Sequence, residues 1–227
     1  MNPPETRAKC GLYSQTGEDN ILAEYFADHE GGFLVDIGAC DGEILSNSRR
    51  LITELGWTGI IVEPHPEYFE KLQLLYRRFP EVVTVNVAVG DENGERTFYA
   101  YQGRMAKFST LDVAEHERIK KAYKVEEFDM VPMRMMPLHL LLSENGCPPQ
   151  IDFLSIDTEG LDLDVLKSMD WDKYTVQLVC VEKSVVAALE LTGFLVGSGY
   201  HLMAATRFNL FFERNTVDTD GDGVNNK

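Results

Sequence analysis

Apolar positions along the chain fall into two kinds of run. FLVDIG (33–38), GIIVEP (59–64), VVTVNVAVG (82–90), IDFLSI (151–156) and VQLVCVE (176–182) are short and almost wholly apolar, the pattern of strands covered on both faces. Between them, apolar residues recur three and four apart, as on one side of a helix. Tyr68, Phe69, Leu72, Leu75 and Tyr76 form such a stripe behind Pro66, which suits a first helical turn. Ser46 to Leu55 predicts a helix capped by Ser46, and Leu161 to Met169 and Val185 to Leu191 predict two more. PLHLLLSENG (137–146) predicts a short helix entered at Pro137 and left at Gly146.

The remaining stretches complete an α/β order. Asp91-Glu92-Asn93-Gly94 reads as a turn into the alternating strand RTFYAY (96–101), and FDMVPMRMM (128–136) as an extended strand broken at Pro132. YHLMAATRFNLFFER (200–214) predicts an antiparallel pair of strands. Gly103 to Lys124 lacks a clean period, although Asp112 to Lys121 suits a helix, so 103–127 is expected to be a lid or insertion. Parallel strands joined by helices imply a doubly wound sheet, because each crossover must cover one face. Its domain is expected over 1–214, followed by an acidic, disordered tail over 215–227.

Ligands of such sheets bind outside the carboxyl ends of the strands. Those ends carry Asp36-Ile37-Gly38, Glu63, Ala88-Val89-Gly90, Asp157 and Glu182. VDIGACDGEILSNS (35–48) has glycines at 38 and 42, so it is not the G-x-G-x-x-G cradle of a dinucleotide fold. Glu63 ends the next strand, where an acid accepts hydrogen bonds from ribose hydroxyls. A ribose without phosphates fits this arrangement, and S-adenosylmethionine adds a cation suited to an acidic crevice. The other reading makes Gly38 and Gly42 turn residues and Glu63 a solvated strand end.

IDFLSIDTEGLDLDVL (151–166) ends its strand in a cluster of acids. Asp157 and Glu159 are the candidate catalytic pair, one to accept a proton and the other to orient an acceptor. Asp157 and Glu182 end adjacent strands and could together hold magnesium or manganese. Alternatively, Asp157 contacts the cofactor's ammonium group and Glu182 pairs with Lys183 or Arg207. Asp162 and Asp164 suit the N-terminus of a helix. His65 lies near the expected ribose site, with a solvent-facing loop as its plainer setting; His29, His116, His139 and His201 show no pairing pattern. Trp57 and Trp171 read as packing. TVDTDGDGVNNK places Asp218, Asp220, Asp222 and Gly223 in the spacing of a calcium loop that stops short of its final glutamate, with weak calcium binding as the second reading of the tail.

Composition narrows the partners. With 44% apolar and 26% charged residues, the chain is expected to be globular and, at 227 residues, one sizeable domain. A formal net charge of −16 opposes a phosphate-backbone footprint, so nucleic acid is not expected. No apolar run approaches a membrane span, and the N-terminus lacks the features of a secretory signal, so a cytoplasmic location is expected. Cys10, Cys40, Cys147 and Cys180 form no C-x-x-C pair and read as reduced thiols.

YSQTGED (13–19), VDIGACDG (35–42), Ser46-Asn47, GWTGIIVEPHP (56–66), NVAVGDENGE (86–95), IDFLSIDTEG (151–160) and FNLFFER (208–214) together resemble the FkbM family of S-adenosylmethionine-dependent methyltransferases, in the family's order. The resemblance implies the class I methyltransferase fold, a Rossmann-like seven-stranded sheet closed by a C-terminal antiparallel hairpin. It implies methyl transfer to a hydroxyl, often on a sugar or natural product, so the expected partner is a small-molecule or carbohydrate acceptor. It also implies that Gly38, Ala39 and Gly42, with Asp36 beneath them, line the methionine and ribose side, that Glu63 beside Pro64 holds the ribose, and that Asn86, Ala88 and Val89 lie against adenine. Ser14, Gln15, Glu18 and Asp19 would close the pocket, or else simply cap a helix. Two departures stand out. Cys40 replaces a common asparagine, and PMRMMPLHLLL lacks the aspartate usual before the helix preceding the fourth strand. The competing function is a non-catalytic cofactor- or nucleotide-binding module on the same fold; a calcium-dependent interaction protein built on the tail is third.

Overall fold

The computed structural model describes residues 13–27, 29–183 and 188–216. Its main sheet has seven strands in the order β3-β2-β1-β7-β8-β10-β9, comprising β1 (Phe33–Ile37), β2 (Thr58–Val62), β3 (Val82–Val85), β7 (Gln150–Ile156), β8 (Thr175–Glu182), β9 (Tyr200–Ala205) and β10 (Asn209–Arg214). β1 pairs in parallel with β2 and β7, β2 with β3, and β7 with β8; only β10 runs antiparallel, between β8 and β9. The chain reverses direction in strand order between β1 and β7, and both strands present their carboxyl ends there.

Successive residues of each central strand point to opposite faces, and both faces are apolar. Val35, Ile37, Ile60, Val62, Leu154, Ile156, Val179 and Val181 pack on one side with α5 (Leu138–Glu144), α6 (Asp162–Lys167) and α7 (Ala188–Gly197). Leu34, Ile61, Phe153, Leu178, Cys180 and Phe211 pack on the other with α1 (Glu18–Phe26), α2 (Arg49–Leu55) and α3 (Pro66–Tyr76). Trp57 is buried in that second layer, edge-on to Phe26 at 4.6 Å, with its indole N–H donating to the His29 carbonyl at 2.8 Å.

VVTVNVAVG is not one strand. β3 ends at Val85, and Ala88–Gly90 forms β4 in a separate three-stranded sheet, order β4-β6-β5, with β5 (Gly94–Ala100) and β6 (Asp129–Pro137). Asn86 makes the break by donating its side-chain amide to the carbonyls of Glu63 at 2.8 Å and Pro64 at 3.0 Å. β6 also runs through Pro132, which pairs with Thr97 of β5 where β4 does not reach, so the missing N–H falls on a strand with one neighbour. The stretch 103–127 contains a 3₁₀ helix (Gly103–Phe108) and α4 (Val113–Tyr123), whose N-cap Asp112 accepts from the amides of Ala114 and Glu115. α7 continues six residues past the expected Leu191, through Gly193 to Gly197, because Leu191 and Leu195 are both buried against the sheet. The expected start of that helix at Val185, Cys10 and the acidic segment Asp218 to Gly223 lie outside the described residues. Among those described, Cys40, Cys147 and Cys180 are free thiols, and no helix is long and apolar enough to cross a membrane.

Candidate active site

A cleft of about 500 Å³ opens over the carboxyl ends of β1, β2, β7 and β8. Its first wall is the turn after β1. Gly38 has φ +88°, and a Cβ there would stand 1.8 Å from the carbonyl oxygen of Asp157 across the sheet, so this crossing admits only glycine. The Gly38 and Ala39 amides donate to the Val62 carbonyl at 2.9 and 3.0 Å. Cys40, itself at φ +51°, then donates its amide to one oxygen of Glu63 at 2.7 Å, while the His65 amide donates to the other at 2.7 Å. The Glu63 carboxylate therefore clamps the two loops together. Burial pushes it up to about 7, against the two amide bonds that favour its charge. Asp36, deeper in the wall, accepts from the Ser48 hydroxyl at 2.6 Å, and burial raises it to about 6.

The second wall is acidic. Asp157, Glu159 and Glu182 bring carboxylate oxygens within 4.8 Å of one another. Burial pushes Asp157 well above the usual carboxylate range, with the charges of Glu182 and Glu159 adding to it. Glu159 rises for the same reasons, burial first and then Glu182 and Glu115. Glu182 is lifted to about 7 by burial and by Asp162 and Glu115, with Arg118 opposing. No ion pair joins Glu182 to Lys183 or Arg207 among the described residues. Glu159 has φ +52°, and the Thr110 hydroxyl holds its carbonyl at 2.8 Å. Asp162 accepts from the amide of Thr158 at 3.0 Å and its hydroxyl at 3.1 Å, so it closes this loop from behind instead of entering the cleft.

Of the residues expected at a cofactor site, Gln15, Asp36, Gly38, Ala39, Glu63, Pro64, Ala88 and Val89 line this one cleft together with Asp157, Glu159 and Glu182. Ser14, Gly42 and Asn86 do not. Ser14 is buried and bonded to Asp19 at 2.6 Å, Gly42 packs on Leu72 and Tyr76, and Asn86 braces the carbonyls of the Glu63 loop. Glu18 is fully buried, and bonds from Thr16 and Thr206 outweigh its burial and hold it down to about 2; it ties the N-terminal turn to the hairpin. Asp19 caps the same turn from the Tyr13 amide at 3.0 Å. His65 is not a solvent-facing loop residue: it is 2% exposed, and its Nε2–H donates to the Tyr101 carbonyl at 2.9 Å. His116 is also buried, stacked on Tyr99 at 3.8 Å and bonded to the Tyr101 hydroxyl at 2.8 Å.

A model of the FkbM methyltransferase domain matches residues 36–202, spanning Asp36, Glu63, the acidic wall and the insertion. The chain belongs to the FkbM methyltransferase family. An FkbM methyltransferase from Methylobacillus flagellatus KT has a similar structure, at 15% identity and TM-score 0.52, over 80% of this chain and 43% of that one. This FkbM domain thus spans under half of that protein. A precorrin-6y C5,15-methyltransferase from Geobacter metallireducens GS-15 is similar at 10% identity and TM-score 0.47, over 87% of both chains. M. capricolum TrmK, solved with S-adenosylhomocysteine, is similar at 11% identity and TM-score 0.44, over 88% of this chain and 69% of that one. No curated protein matches the sequence. The shared fold is the class I methyltransferase sheet with its closing antiparallel hairpin.

The FkbM domain also brings further side chains to the cleft. Lys107, Phe108, Arg118 and Tyr123 arrive from the insertion, Tyr68 from α3 and Arg207 and Phe208 from the turn before β10. The segment 103–127 is expected as a lid or insertion, and its individual side chains carry no periodic signal to mark them.

Proposed function

We propose that this FkbM domain transfers a methyl group from S-adenosylmethionine to a hydroxyl of a sugar or small natural product. The observation that carries the reading is the meeting, in one cleft, of the Gly38–Glu63 turn with the carboxylates of Asp157, Glu159 and Glu182. The turn fits a nucleoside because each Glu63 oxygen keeps a lone pair for a ribose hydroxyl beyond its amide bond. When bound, S-adenosylmethionine supplies an electrophilic methyl group on a cationic sulfur. The acidic wall suits that cation, whose proximity would return protonated carboxyls to their charged form.

Proton removal falls to Asp157 or Glu159. A carboxylate whose proton affinity burial has raised is a stronger base than one in water, provided it is ionised when the acceptor arrives. The rest of the work is placement: the walls hold the acceptor oxygen in line with the methyl group, and α4 with the 3₁₀ helix excludes water. The three carboxylates also form a hard-oxygen set that fits magnesium or manganese, with Asp157 and Glu182 as the first ligands and Glu159 as a third.

A screen of hydroxyl acceptors with methyl-labelled cofactor, reading methylated product and S-adenosylhomocysteine together, tests the reading. Label is expected in a hydroxylated acceptor and not in its deoxy counterpart; label only in amines or nucleic acid would overturn it. Chelator is expected to abolish turnover and magnesium or manganese to restore it, and full turnover in chelator would remove the metal alone.

A further inference from the structure

The charges lining the cleft are sorted by element. The strand ends contribute only acids: Asp36, Glu63, Asp157, Glu159 and Glu182. The cations come only from the covering segments, Lys107 from the 3₁₀ helix, Arg118 from α4 and Arg207 from the β9–β10 turn. In a chain carrying 37 acidic against 21 basic residues, a cleft roof built from cations alone runs against the overall balance.

The three cations are not equivalent. Arg118 is held by Glu115, its Nε donating to a carboxylate oxygen at 2.7 Å, so its charge is largely answered. Lys107 and Arg207 have no carboxylate partner among the described residues. Each lies instead on an aromatic face: the Lys107 ammonium is 4.9 Å from the Phe108 ring centre and the Arg207 guanidinium 5.0 Å from that of Phe208. Phe108 is stacked on Tyr123 at 5.1 Å and 25°. Both segments adjoin the acidic wall. The Thr110 hydroxyl, just after the 3₁₀ helix, holds the Glu159 carbonyl, and Asn209, two residues after Arg207, pairs with Glu182.

We infer that the acceptor is a sugar bearing an anionic group, a carboxylate or a phosphate, which Lys107 and Arg207 bind while Phe108, Tyr123 and Phe208 cover the ring. The inference rests on the proposed methyl transfer and names its substrate class. A neutral sugar would leave two cations without a role, and a cationic acceptor would meet repulsion from both. A planar guanidinium and a compact ammonium together accept either anion, so the roof selects for charge more than for the identity of the oxyanion.

Calorimetry on the full chain saturated with S-adenosylhomocysteine tests this with methyl glucuronide, glucose 1-phosphate and methyl glucoside as probes. The two anionic sugars are expected to bind at least about 10-fold more tightly than the neutral one, with an advantage that shrinks as salt rises. Lys107→Ala with Arg207→Ala should erase that advantage, and Lys107→Glu with Arg207→Glu should reverse it, while S-adenosylhomocysteine affinity stays as in the parent. A preference for only one anionic sugar identifies the anion and supports the inference. Equal binding of all three, binding of none, or an anionic preference that survives the double substitution would overturn it. So would a loss of S-adenosylhomocysteine affinity in the double variant, since the cations would then serve the cofactor. Failure of the parent to bind S-adenosylhomocysteine at all would instead remove the methyl-transfer reading.

Discussion

Glu63 clamps two loops with one carboxylate and, in the proposed function, would also hold the ribose. Its oxygens already accept the Cys40 and His65 amides, and the proposed ribose contacts use the lone pairs that remain. Glu63→Ala is expected to weaken S-adenosylhomocysteine binding by about 2–4 kcal/mol, counting charge-assisted bonds at roughly 1.5–3 kcal/mol each and allowing for incomplete additivity. Titration calorimetry on a folded variant checks this, and an unchanged affinity would take Glu63 out of the site. The position of this acid at a strand end was legible because a glycine turn and an apolar run precede it. The burial of His65 was not, because it depends on the Tyr101 carbonyl, which arrives from a different sheet. Ser14 illustrates the same limit: a serine before two acids serves equally as cap or ligand, and only the 2.6 Å bond to Asp19 decides what it touches.

At the scale of the element, the turn after β1 is the joint between the fold and the site. Gly38→Ala combines a positive φ with a Cβ placed 1.8 Å from the Asp157 carbonyl, so it should destabilise the protein by about 3 kcal/mol or more. Gly56 has φ +67° but open space around it, so Gly56→Ala should cost only the left-handed strain, about 1–2 kcal/mol. Denaturant unfolding of the two variants separates clash from strain, and equal losses would contradict the crossing geometry. The central strands were readable because residues facing both helical layers are apolar. The small sheet was hidden because Val82 to Gly90 keeps one apolar character while Asn86 turns the chain out of the main sheet. Nothing local records that β4 pairs with β6, some forty residues later in the chain.

Across the whole molecule, the acids that burial raises most strongly gather around the one cleft. Glu63 and Glu182 are both raised to about 7 in the folded protein, above the value each would take unfolded. Their contribution to stability is therefore complete at low pH and is lost as pH climbs through about 7. The net charge of −16 adds repulsion of the same sign. The ligand-free protein should lose roughly 5 °C or more in Tm between about pH 5 and about pH 8. Glu182→Gln should flatten that slope, and thermal unfolding across the range reads both. A Tm that rises with pH would contradict the raised proton affinity of Glu63 and Glu182.

In the proposed reaction Asp157 or Glu159 takes the acceptor's proton, and single-turnover methyl transfer with an acceptor found by the screen isolates that step. Asp157→Asn and Glu159→Gln nearly preserve shape while removing the charge that a base needs. The stronger of the two should slow transfer by about 10²–10⁴-fold, with S-adenosylhomocysteine affinity changed far less. Near-parental transfer in both variants would take both acids out of proton removal and leave this strand end a structural feature.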